Sequence, residues 1–151
     1  MCSSDLDRKK GLAELHRVVR PGGRVVISSW PPSDRVPLMQ VLFAAMREQG
    51  LGVPEGPPAL GEAADYEREL GAAGFKNIRP EVVTRVMTAS SLDAMWDSLA
   101  RSMAPLVLMR KMLGEEKFAG LAQAIRTQLE ARFGRGVQRV EMPAWITVAT
   151  V

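Results

Sequence analysis

The chain has 151 residues, 46% of them hydrophobic and 25% charged, with 20 basic residues against 17 acidic ones and a formal net charge of +3. That length suits one domain. No apolar run approaches the roughly 18 residues of a membrane span, so the expectation is a soluble protein with no membrane partner. The N-terminus lacks the basic-then-apolar pattern of a secretory signal. The single cysteine, Cys2, makes no internal disulfide or zinc cluster, which fits a cytoplasmic location. The basic residues are 15 Arg and 5 Lys, scattered and without interleaved aromatics, so nucleic acid is not an expected partner.

Residues 1–6 (MCSSDL) are polar, carry no period and read as a non-native leader, leaving 7–151 as the domain. From 7 to 20 the pattern is helical: Leu12, Leu15 and Val19 form one stripe with Val18 beside them, and Asp7 and Arg17 suit the two ends of the helix dipole. Pro21 stops the helix and Gly22-Gly23 supplies a turn. The run 24–30, RVVISSW, follows as a strand whose continuous apolar centre predicts burial on both faces. Pro31-Pro32 ends it.

A second helix is expected over 38–49, a Gly/Pro-rich loop over 50–61 and a third helix over 62–73 closed by Gly74. An extended stretch over 78–87 is interrupted early by Pro80. Ser90 with Asp93 has capping-box spacing, and Leu92, Met95, Trp96, Leu99 and Met103 follow at helical spacing until Pro105. A short helix over 106–113 ends at Gly114. A regular one over 115–133 carries Phe118, Leu121, Ile125, Leu129 and Phe133 on one stripe, with Gly134 as its cap. The region 140–151 reads as a strand after Pro143.

The helix-turn-strand string GLAELHRVVRPGGRVVISSW resembles the segment before and through the fifth strand of class I S-adenosylmethionine-dependent methyltransferases. Leu12, Glu14, Arg17, Val18, Arg20, Pro21, Gly22 and Gly23 match its usual form in order, and Val19 stands where Leu is commoner. Downstream, YERELGAAGFKNIR with Ala73, Gly74 and Phe75 looks like the family's last helix and its turn into the sixth strand, and AWITVATV resembles the seventh. The resemblance implies the C-terminal part of a Rossmann-like α/β fold. Its three-stranded mixed sheet would be ordered fifth-seventh-sixth, the seventh antiparallel between the others, with a helical insertion over about 90–134.

By the same resemblance, the intact parent is a small-molecule methyltransferase using S-adenosylmethionine. The family's cofactor sits against a glycine-rich loop after the first strand and an acidic residue after the second, both upstream of the matched region. This chain is therefore not expected to bind the cofactor or to be active alone. An edge left without its neighbour strand at 24–30 implies self-association. The alternatives are a non-catalytic α/β ligand-binding or protein-interaction module and, more weakly, an RNA-binding module.

No catalytic, cofactor-binding or metal residue stands out. His16, the one histidine, falls on the polar side of its helix beside Glu14 and Arg17 and reads as solvent-facing. Ser28 and Ser29 read as strand packing, and Asp93, Asp97, Glu115 and Glu116 as caps or solvated faces. The substrate-pocket candidates are Trp30, Trp96 and Met103. Trp30 ends a strand at the edge where open α/β sheets bind ligands. Trp96 and Met103 belong to a Met- and Trp-rich helical stretch able to line an adaptable apolar pocket, although core packing is the simpler account of their spacing.

Overall fold

The structure is a computed structural model that describes residues 7–52 and 60–151, so the leader read at 1–6 and the centre of the 50–61 loop lie outside the described residues. In chain order the elements are α1 (Arg8–Val18), β1 (Arg24–Ser29), a 3-10 turn (Ser33–Arg35), α2 (Pro37–Glu48), α3 (Ala63–Ala72), β2 (Lys76–Ala89), α4 (Leu92–Ser102), α5 (Ala104–Phe133) and β3 (Gln138–Thr150). The chain is thus α/β and divides into two compact units. The first draws on Met1–Pro32, Pro57–Thr84 and Pro143–Val151, the second on Ser33–Gly56 and Arg85–Met142.

In the first unit the strand order is β1-β3-β2. β1 runs antiparallel to β3, from Arg24 opposite Thr150 to Ser29 opposite Trp145. The start of β2 lies beside the end of β3: Thr150 Oγ1 donates to the Lys76 carbonyl at 3.1 Å, and Asn77 Nδ2 donates to Thr150 Oγ1 at 3.0 Å. β3 is therefore antiparallel to both neighbours. The expected order, with the last strand in the middle, is the one found. The expected mixed sheet is not, because β1 and β2 are separated by β3 and never pair.

The turn into β1 shows why two glycines are needed. Gly22 has φ +73, and a Cβ on Gly23 would stand 2.5 Å from Val19 Cγ1 and 2.8 Å from the Arg20 carbonyl oxygen. α1 itself is capped by Asp7, whose side chain accepts from the Lys10 amide at 3.2 Å. Its stripe of Leu12, Leu15 and Val19 packs with Val25, Ile27, Leu70 and Phe75, whereas Val18 faces outward.

Burial of β1 on both faces is overturned. Val25 is buried and Ile27 half-buried, but Val26 is 65% exposed and Arg24 and Ser28 are exposed with it. The cluster around α1 takes up one face of the strand, and no described residue of that cluster covers the other.

Two prolines sit inside strands without breaking them. Pro80 lies in β2, an edge strand, where a missing N–H need not cost a ladder bond. Pro143 lies in β3 beyond Trp145, past the last residue that pairs with β1.

The second unit packs α2, α4 and α5 around a core of Leu38, Leu42, Met95, Trp96, Leu99, Leu106, Phe118, Ile125 and Leu129. Each fully buried Leu or Ile contributes about 1.5–3 kcal/mol. The helices expected over 90–134 all fall in this unit, which also takes in α2. The cap of α4 is Ser91, not Ser90: Ser91 Oγ accepts from the Ala94 amide at 3.1 Å. The helix begins at Leu92, so only the residue just before it reaches the free amides. Asp93 pairs with Arg126 instead of closing a capping box. The two helices expected on either side of Gly114 are found; numbered together as α5, they are separated by non-helical angles at Gly114 (φ 78, ψ 165).

Candidate functional site

In the helical unit, the Gly114 break turns the second part of α5 away from the direction of the first, and a cavity of about 410 Å³ opens beside it. That volume lies at the small end of the range for ligand pockets. Its apolar lining is Trp96 and Ala100 from α4 with Phe118, Ala119 and Ala122 from α5. Three of these positions carry alanine and two carry aromatic rings. Asp97, Arg101, Arg110 and Glu115 supply the polar lining.

Arg110 and Glu115 bridge the break. Arg110 Nε donates to Glu115 Oε1 at 2.8 Å, and its Nη2 donates to Oε2 at 2.9 Å, a two-pronged geometry that fixes both side chains. The hydrogen bond holds the Glu115 carboxyl below the usual glutamate range and pushes Arg110 upward. The Arg110 guanidinium also lies 5.9 Å from the centre of the Phe118 ring, within cation–π range. Such a cavity can seat a small, partly apolar molecule with a polar group toward the arginines. Its ionisable lining is two carboxylates, Asp97 and Glu115, and two guanidiniums, Arg101 and Arg110.

The three pocket candidates fare differently. Trp96 is 6% exposed, serves the core and lines the cavity. Met103, between α4 and α5, is half-buried against the same core but is not part of the lining. Trp30 belongs to the other unit and is 55% exposed.

His16 does not simply face solvent. Its ring meets that of Phe75 edge-on, centroids 5.1 Å apart at 79°, which places it in the packing of α1.

The sequence also gave no sign of a polar cluster in the sheet unit. Ser29 Oγ donates to the Leu60 carbonyl at 2.6 Å and therefore accepts from the hydroxyl of fully buried Tyr66. Burial pushes the Tyr66 hydroxyl up, and its hydrogen bond to Ser29 opposes this in part. Trp145 Nε1 donates to the Gly61 carbonyl at 2.7 Å beside the Tyr66 ring. These bonds fasten the sheet to residues 60–66. The available signals were Tyr66 as the sole tyrosine and Trp145 in a strand, both ordinary marks of packing.

Among the described residues no group of three His, Cys, Asp or Glu side chains is placed to hold a metal ion. The connection from β1 to α2 carries Pro31 and Pro32 and no glycine, and Pro37 opens α2. It does not fit the glycine-rich strand-to-helix turn that would receive S-adenosylmethionine, and no step through that cofactor is assigned to these residues. No helix of the described residues is long and apolar enough to cross a membrane. No protein-family model matches the chain, and no curated protein matches it.

Proposed function

We propose that these residues form the fifth-to-seventh-strand part of a class I S-adenosylmethionine-dependent methyltransferase acting on a small, partly apolar molecule. The observation that carries the reading is the sheet order: β3, last in the chain, lies between β1 and β2 and antiparallel to β1. This is the arrangement implied by the resemblance of the Pro21-Gly22-Gly23 and Ala73-Gly74-Phe75 segments, which deliver β1 and β2. In this reading the helical unit supplies the acceptor side, with the Trp96–Phe118 cavity as the acceptor seat. Methyl transfer asks little acid–base chemistry of the protein, since positioning supplies much of the rate. When bound, the cofactor provides the methyl group already activated on a sulfonium. The task left to this chain is to hold and orient a partly apolar acceptor.

Calorimetric titration of S-adenosylmethionine into this chain and into one extended upstream tests the reading. Binding by the extended chain alone is expected; no binding by either refutes it. A second reading, a non-catalytic ligand-binding module, is favoured by the pairing of Glu115 with Arg110, which engages the carboxylate nearest the break in a salt bridge. It requires a ligand for the cavity and no cofactor affinity in either chain.

A further inference from the structure

The four charges that line the cavity beside Gly114 are not equally engaged. Arg110 and Glu115 hold each other in their two-pronged bond, and Arg110 also lies over the Phe118 ring. Asp97 and Arg101 are different. They stand four residues apart on α4, about 6 Å along the helix axis. Both line the cavity, and both are exposed. Opposite charges three or four residues apart on a helix are placed to pair. Glu14 and Arg17 do so, as do Asp65 and Arg68. Among the described residues, neither the Asp97 carboxylate nor the Arg101 guanidinium has a hydrogen bond or an ion pair. A second depression in the helical unit, about 260 Å³, offers no such charges. There Asp93 pairs with Arg126 and Glu130 with Arg135.

We propose that the larger cavity binds a zwitterionic α-amino acid with a large apolar side chain. Its ammonium would bind Asp97, its carboxylate Arg101, and its side chain would lie against Trp96, Phe118 and the three alanines. The two unengaged charges select this class. An ammonium donates to a carboxylate, and a guanidinium meets a carboxylate with two parallel N–H donors. A ligand with only one of these groups leaves the other charge of the site without a partner. An α-amino acid carries both on one carbon, so its two polar ends fit between side chains one helical turn apart. The volume of about 410 Å³, small for a ligand pocket, suits a single amino acid. This gives a chemical class to the acceptor seat, and only the role of acceptor rests on the methyltransferase reading. The binding itself needs no cofactor.

Calorimetric titration of the full chain without cofactor tests the proposal. L-phenylalanine or L-leucine is expected to bind saturably with a Kd below about 1 mM. Phenylpropanoate lacks the ammonium of phenylalanine, and phenethylamine lacks its carboxylate. Each is expected to bind at least about tenfold more weakly than phenylalanine. Asp97→Asn and Arg101→Gln change exposed side chains and are expected to keep the circular dichroism spectrum. In Asp97→Asn the preference for phenylalanine over phenylpropanoate should disappear, and in Arg101→Gln the preference over phenethylamine. General damage to α4 would not split the analogues in this way. Absence of saturable binding by both amino acids overturns the proposal. So does an analogue that binds the unsubstituted chain as tightly as phenylalanine, or a preference that survives its substitution. An equal loss of affinity with Arg126→Gln, in the second depression, overturns it as well. If the upstream-extended chain fails to bind S-adenosylmethionine, the methyltransferase reading falls and the amino-acid results stand.

Discussion

Replacing Gly74 with alanine isolates two costs that the structure lets one separate. Gly74 closes α3 with φ +98, a conformation that costs an L-residue about 1–2 kcal/mol. The added Cβ would also stand 2.9 Å from His16 Nε2 and 3.3 Å from its Cδ2 and Cε1. These atoms end a side chain that can swing away, at the loss of its edge-on contact with Phe75, worth about 0.5–1.5 kcal/mol. The sum is about 2–3 kcal/mol for Gly74→Ala, and only the second part depends on His16. His16→Ala alone should cost about 1 kcal/mol, and the double variant should be more stable than the two single costs added together by about 1 kcal/mol. Urea unfolding followed through Trp145 fluorescence, with Trp30 and Trp96 changed to Phe, reads the sheet unit. Additivity of the two substitutions would refute the steric argument. A cost for Gly74→Ala below about 0.5 kcal/mol would refute the backbone argument as well.

Ser91→Ala is expected to cost about 1 kcal/mol through loss of the α4 cap, and Ser90→Ala less than about 0.5 kcal/mol; urea midpoints distinguish the two. Trp145→Phe leaves the Gly61 carbonyl without its donor and a gap beside Tyr66. A loss of about 2 kcal/mol in urea unfolding followed by circular dichroism is expected, and a neutral result would remove Trp145 from the account of the sheet. The hydrogen bond from Arg8 holds the Glu69 carboxyl below the usual glutamate range. The stability this carboxylate contributes is present above the ordinary glutamate pKa and is lost as pH falls through the lower folded value. Glu69→Gln should therefore flatten the acid side of the stability–pH curve, and an unchanged slope would show that the pair contributes nothing measurable.

The elements carried by local chemistry were legible in the sequence. Pro21-Gly22-Gly23 marks the entry to β1 and Gly74 the end of α3, and the stripe through Phe118, Ile125 and Leu129 marks the long part of α5. The features set by long-range neighbours were not. Val26 looks like a core residue in RVVISS, and its exposure depends on which face α1 covers. Pro80 reads as an interruption until β2 proves to be an edge strand, and Pro143 reads as a boundary until β1 proves to end short of it. The cavity was half-visible. Trp96 was picked out by residue type, but Arg110, Glu115 and the small residues Ala119 and Ala122 face one another only because of the dihedral angles at Gly114. Met103 has the residue type expected of a pocket wall, but its neighbours are core side chains.

The place of β3 has a consequence for how the chain is made. The strand between the other two is the last of the three in chain order. A ribosome adding about 5–20 residues per second takes roughly 6–24 s to travel from the end of β1 to the end of β3. Throughout that interval β1 lacks β3, the strand it pairs with, and β2 lacks it for a shorter time. A premature stop anywhere before Gln138 makes this condition permanent. A product that stops between Phe133 and Gln138 would carry its helices and two strands without β3, the kind of chain that chaperones retain and proteases remove.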